Sequence, residues 1–350
     1  MGLNMSFLRD RWYAAAWSSE IGRKPLGRKI LGEDITFYRT ESGQPAAVAS
    51  RCPHRFAPLY YGDVVGENIK CRYHGLQFGP NGACVLNPDG SKPPPVSVKA
   101  YSVAERDSML WIWMGDQKPQ SGPPEYLSLA PTMGGLVRGL LHVNCHFLLV
   151  TDNLMDSAHA THLHAAFKTE AHVKAPKGNV RQEGDAVYYN VWAPDDLPNP
   201  FFLALYGKNI PVDQWVDVTW REPSTITVAA GVTATGRSRE EGINTISVHL
   251  ITPESEHSSH YFWILARDCR LENHEMSEMM RANVQRIFTE EDKWMIEGQQ
   301  RMLGGAEFWS LRPALLNQDK AAAMTRRHVE KLIAEQDAKR EEGTSLKANA

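Results

Sequence analysis

Three features of the 350-residue sequence predict an α+β protein in two parts. Residues 1–118 carry short apolar runs cut by Gly, Pro, Asn and Asp, which is the pattern of a β-rich domain. Residues 119–134 hold four prolines and little periodicity, as a linker would. Residues 135–350 set several strand-like runs between stretches of helical spacing, which points to an α+β domain on an antiparallel sheet.

The elements follow in order. Residues 35–38, 46–49 and 110–113 are strand-like in the first part. Residues 147–167 contain no Gly or Pro and are expected to be mainly helical. Residues 186–192, 224–232, 245–251 and 259–265 have strand character. From 272 to 302 helical spacing returns, with Met276, Met280, Val284, Ile287 and Phe288 along one apolar stripe. Residues 321–338 form a further amphipathic helix, and the polar stretch 339–350 is expected to fray.

Composition narrows the function. Lys and Arg number 38 and Asp and Glu 41, a formal charge of −3, so there is no broad pull toward nucleic acid or an anionic membrane. No apolar run approaches the roughly 20 residues that span a bilayer. Gly2 and Ser6 fit the loose N-myristoylation pattern, but no basic cluster follows and Met5 offers a second start. Arg9 and Asp10 interrupt any secretory apolar core. Five cysteines make no disulfide framework, which suggests a reducing, cytoplasmic setting and metal chemistry for any that pair. Cys84, Cys145 and Cys269 lack metal-like spacing and are expected to be buried free thiols.

Two constellations carry chemistry. Cys52-Pro-His54 is followed after sixteen residues by Cys71-Arg-Tyr-His74. Two Cys-His pairs on neighbouring loops suit tetrahedral zinc or a Rieske [2Fe–2S] cluster, in which two Cys hold one iron and two His the other. Zinc fingers pair Cys with Cys and His with His locally, whereas each loop here supplies one of each, which favours the cluster.

The second constellation packs Asn153, Asp156, His159, His162 and His164 into twelve residues. Open non-haem Fe(II) sites use two His and one carboxylate on one face. On an unbroken helix His159 and His162 share a face, whereas His159 and His164 lie about 140° apart. For the carboxylate, Glu291 and Asp292 each sit four residues after an apolar stripe residue, Ile287 and Phe288.

The run CPHRFAPLYYGDVVGENIKCRYHGLQFGPNGACV resembles the Rieske signature. With RDRWYAAAWSSEI and ERDSMLWIWMGD around it, the chain is similar over roughly residues 7–335 to Rieske non-haem iron oxygenases, specifically the vanillate O-demethylase and dicamba monooxygenase group. That resemblance implies a Rieske β-domain and a helix-grip (START-like) catalytic domain, assembled as a homotrimer. It implies a cluster on Cys52, His54, Cys71 and His74 and iron on His159, His164 and Asp292, through the patterns D-x-x-H-x-x-x-x-H and E-D-K. The helix must then end or distort between the two His, with His162 and Glu291 as runners-up. Asp156 would bridge His159 to His74 of a neighbouring subunit, and Asn153 would lie near the iron. Val228, His249 and Asn283 are implied substrate contacts. The implied reaction uses O2 to demethylate a methoxylated aromatic acid with formaldehyde release. Ring or methyl hydroxylation and N-demethylation are the nearest alternatives. No dinucleotide or plant-type ferredoxin motif is present, so electrons must come from a separate NAD(P)H-dependent reductase and ferredoxin centre. A Rieske electron-transfer protein would need only the first part of the chain, and a zinc-stapled binding module would be colourless.

Overall fold

A computed structural model describes residues 7–125, 134–167 and 177–348. The N-terminal residues bearing Gly2 and Ser6, and half of the expected linker, lie outside these; residues 119–125 form neither helix nor strand. The described chain falls into two compact units, one drawn from Phe7–Leu127 with Thr252–Ser255, the other from Ser128–Ile251 and Glu256–Ala350.

The N-terminal unit is all β. Its strands are β1 (Trp12–Trp17), β2 (Leu26–Ile30), β3 (Glu33–Arg39), β4 (Pro45–Ala49), β5 (Asp63–Val65), β6 (Asn68–Lys70), β7 (Gln77–Phe78), β8 (Cys84–Leu86), β9 (Val103–Arg106) and β10 (Met109–Trp113). They form three small sheets ordered β1-β10-β9, β2-β3-β4 and β5-β6-β7-β8. Runs such as Ile35–Tyr38 are buried on both faces, so they show no alternation and rely on turn residues for their bounds. One core cluster gathers Tyr38, Val48, Leu59, Ile69 and Phe78 around Cys52 and Cys71.

The second unit is mixed. Strands β11 (Gly134–Val143), β12 (Lys177–Glu183), β13 (Ala186–Asp196), β14 (Val212–Arg221), β15 (Thr225–Ala234), β16 (Ile243–Ser255) and β17 (Ser258–Arg267) make one sheet in the order β11-β17-β16-β15-β14-β13-β12. Helices are α1 (Phe147–Met155), α2 (Ala158–Leu163), α3 (Pro200–Tyr206), α4 (His274–Arg286), α5 (Lys293–Leu303) and α6 (Lys320–Ala348). Strands β11, β12 and β14 escape sequence reading because glycines or charges interrupt their apolar pattern. In β11, Gly139 is needed because a Cβ there would come within 2.4 Å of the Trp263 indole. Helix α6 runs well past residue 338, since Lys, Arg, Glu and Gln are good helix formers and no proline intervenes. Among the described residues no helix is long and apolar enough to cross a membrane.

Two departures from regular helix shape the second unit. The expected helix over 147–167 stops at Asp156, which is extended (φ −110°, ψ 106°). The Asp156 carboxylate accepts the Ala158 N–H at 2.8 Å, a local bond that competes with helix continuation and starts α2. Between α4 and α5, Ile287–Asp292 winds as a π-helix. Bonding from i to i+5 brings Asp292 back over Ile287, and both are buried.

Candidate metal centres

The two Cys-His loops of the N-terminal unit repeat one backbone design. Cys52 N–H donates to Ala57 O at 3.0 Å and Phe56 N–H to Cys52 O at 2.9 Å. In the second loop Cys71 N–H donates to Leu76 O at 2.8 Å and Gly75 N–H to Cys71 O at 2.9 Å. The fourth residue after each Cys is left-handed, Phe56 at φ 61° and Gly75 at φ 78°. This turn sends both thiols inward, at 1% and 2% exposure. Both imidazoles stay at the surface, with ring centroids 4.5 Å apart. Burial pushes the Cys52 thiol up, and its neighbour Cys71 adds to this. Two buried thiols and two adjacent exposed imidazoles fit a cluster with one inner and one outer iron.

The remaining thiols differ partly from expectation. All five cysteines are unpaired, but only Cys145 of the other three is fully buried, its thiol pushed up to about 12 by burial. Cys84 and Cys269 are half-buried, because each lies at a strand margin.

In the second unit His159, His164 and Asp292 bring ligand atoms within 4.8 Å of one another. His159 lies on α2 and His164 is the extended residue that ends it (φ −106°, ψ 116°), so helical spacing no longer separates them. Their Nε2 atoms converge on Asp292 Oδ1, at 3.6 Å from His159 and 3.3 Å from His164. His159 Nδ1 bonds the Asp156 main-chain carbonyl, and His164 Nδ1 bonds Glu291 Oε2 at 2.8 Å. A carbonyl and a carboxylate can only accept, so each ring carries its proton on Nδ1 and offers an Nε2 lone pair to the centre. Burial lowers the His159 pKa, against the pull of Asp292 and Asp156. Burial also acts on His164, but the Asp292 and Glu291 carboxylates outweigh it and its pKa is raised. Two imidazoles and one carboxylate on one side are the donor set of an open Fe(II) site.

The neighbours take distinct places. Asn153 Nδ2 donates to Asp292 Oδ1 at 3.2 Å. Asp156 touches His159 through its carbonyl; its carboxylate stays 3.8 Å from Nδ1 because it is engaged in starting α2. Glu291 is the acceptor behind His164 and is itself held by Arg286 at 2.6 Å. His162 is exposed and outside the ligand group.

These residues border a cavity of about 580 Å³ lined by the inner face of the sheet, α2, α3 and the π-helical turn. Val228 and His249 line it; Asn283 does not, being exposed on α4 while the next residue, Val284, turns inward. His249 is enclosed, with Nδ1 2.7 Å from the Tyr261 hydroxyl and Nε2 2.9 Å from Ser247 Oγ. Burial lowers its pKa to about 3. Sequence reasoning missed Ser247, Tyr261 and the cavity residues Phe201 and Phe202. The polar alternation Thr245, Ser247, His249 along β16 was the available signal for the first of these.

Cluster loops and a 2-His-1-carboxylate set in one chain define an iron enzyme that uses external electrons to activate O2. Residues 11–102 match the Rieske [2Fe-2S] domain family and residues 143–335 the vanillate O-demethylase oxygenase C-terminal domain family. The chain is 44% identical over 335 residues to the oxygenase component of chloroacetanilide N-alkylformylase from Rhizorhabdus wittichii, covering 93% of this chain and 96% of that protein. It is 35% identical to the dicamba O-demethylase oxygenase component of Stenotrophomonas maltophilia, covering 94% and 98%. The crystal structure of dicamba monooxygenase bound to 3,6-dichlorosalicylic acid superposes with a TM-score of 0.89 at 35% identity, over 95% of this chain and 99% of that one. The chain belongs to the Rieske-type oxygenases of the vanillate O-demethylase family.

Proposed function

We propose that this oxygenase demethylates a methoxylated aromatic compound, with Cys52, His54, Cys71 and His74 holding the cluster and His159, His164 and Asp292 the catalytic iron. The observation that carries this reading is the convergence of three ligand atoms beside a largely apolar cavity large enough for a substituted arene. The groups these residues hold supply single-electron delivery and O2 activation when bound. The chain's part is to orient both imidazoles through Asp156 and Glu291, to steady Asp292 through Asn153, and to seat the substrate methyl beside the open face. The methyl C–H is converted to C–OH, and the resulting hemiacetal collapses to a phenol and formaldehyde. O2 supplies that oxygen and, with two electrons and two protons, leaves its other atom as water.

The N-alkylformylase relative, at 44% identity, favours a second reading in which the alkyl group leaves nitrogen. The family resemblance supports a separate reductase as donor, a helix-grip description of the second domain and a homotrimer. In that trimer the Asp156 carboxylate faces His74 of a neighbouring subunit. Five unpaired cysteines agree with a cytoplasmic setting, and the chain divides into a cluster domain over 1–118, a linker over 119–134 and an iron domain over 135–350. The test supplies the holoenzyme with a surrogate reductase and a panel of O-methyl and N-methyl arenes. Formaldehyde release matched to O2 uptake is expected from O-methyl substrates; release only from N-methyl substrates selects the second reading. Hydroxylated products with no formaldehyde would overturn both.

A further inference from the structure

The cavity wall formed by the sheet is aliphatic where an acidic substrate would need a partner. Val180, Val191, Val216, Val218 and Val228 face it from four adjacent strands. Among the described lining residues the only Lys or Arg is Lys320, and it is exposed. Asp156 and Asp292 also line the space. A carboxylate moved from water against these valines loses hydration that they do not replace.

Polar side chains interrupt the wall at Tyr189, Thr245, Ser247 and His249, and for the last two the hydrogen-bond direction can be worked out. Tyr261, 3% exposed, has His249 Nδ1 as the partner of its hydroxyl, at 2.7 Å. A buried phenol must place its proton on an acceptor, so Tyr261 donates to Nδ1. His249 then carries its own proton on Nε2 and donates it to Ser247 Oγ, at 2.9 Å. Ser247 has thereby accepted a bond, and its own O–H is left to donate into the cavity that it lines. The Tyr261–His249–Ser247 chain thus presents one neutral donor of set polarity.

We propose that the substrate is an uncharged arene bearing a neutral acceptor oxygen, such as an amide carbonyl, which accepts from the Ser247 hydroxyl. This deepens the dealkylation reading and rests on it, and it replaces the aromatic acid expected from sequence. It also makes Ser247 the substrate contact, with His249 as its positioning residue.

The test measures calorimetric binding of 3-methoxybenzamide, 3-methoxybenzoate and 3-methoxytoluene to the metal-loaded enzyme, with formaldehyde release assayed on the same samples. The amide should bind at least about tenfold more tightly than the benzoate. Ser247→Ala should weaken the amide about fivefold and leave 3-methoxytoluene unchanged. Tyr261→Phe, which keeps the serine but frees the polarity of the chain, should weaken the amide by less. Benzoate binding as tight as the amide's, or unchanged amide affinity in both variants, would overturn the proposal. Tight, Ser247-dependent amide binding without formaldehyde would uphold the contact and sink dealkylation instead. Release from the benzoate alone would do the reverse.

Discussion

The Cys-His loops of the N-terminal unit lie close together in sequence and share one hydrogen-bond plan, whereas the His-His-Asp set draws its carboxylate from a distant helix. Each cluster loop carries its own geometry: a tight turn, a left-handed fourth residue, a thiol in and an imidazole out. The iron site has no such module. It depends on a helix that stops at Asp156, a second that stops at His164, and a π-helical turn that swings Asp292 inward. A locally encoded site survives changes elsewhere, while a site assembled from two helix breaks and a π-turn depends on each of them.

That contrast can be broken most sharply at the ligands. Asp292→Ala should lose the mononuclear iron and all measurable turnover while keeping the cluster's visible absorption; Cys71→Ser should bleach the protein and retain one iron. Metal analysis with acid-labile sulfide reads both, and loss of colour in the Asp292 variant would show that the two sites are not independent. Next in size, Asp156→Asn leaves the main-chain carbonyl on His159 and should keep both metals, while loss of the carboxylate proposed to face His74 of a neighbouring subunit should lower turnover about 10- to 100-fold. Normal turnover there would refute its bridging role. Glu291→Gln should weaken iron retention about tenfold on chelator titration, because a neutral amide holds the His164 Nδ1–H less strongly.

The smallest effects compare the two loops directly. Gly75→Ala adds a Cβ 3.1 Å from Pro88 at a left-handed position and should cost about 1–2 kcal/mol in thermal unfolding. Phe56→Gly at the matching position should change stability by less than about 1 kcal/mol, since relief of strain offsets the added chain entropy. If both changes cost the same, the loops are not equivalent in backbone demand.

Legibility in the sequence tracks this division. The spacing of Cys52, His54, Cys71 and His74 is short enough that local turns alone bring the four residues into two pairs, so the pattern was readable directly. The apolar stripe of α4 was readable too, because 3.6-residue periodicity survives in the letters. Asn283 shows the limit: one residue's shift on the helix is about 100°, enough to exchange a cavity wall for solvent. Helical spacing alone favoured His162 over His164, because the side-chain bond from Asp156 and the end of α2 are not visible as periodicity.

By itself the sequence determined the α+β class, the paired metal-binding loops and the presence of two histidines and an acid able to hold iron. These are properties of residue type and short spacing, which physical chemistry constrains before any packing occurs. Tertiary structure decided that the Nε2 atoms of His159 and His164 converge on Asp292, that Glu291 stands behind a histidine, and that Ser247 faces the cavity as a donor. Proton positions and cavity walls arise only when buried polar groups from separate strands and helices must satisfy one another.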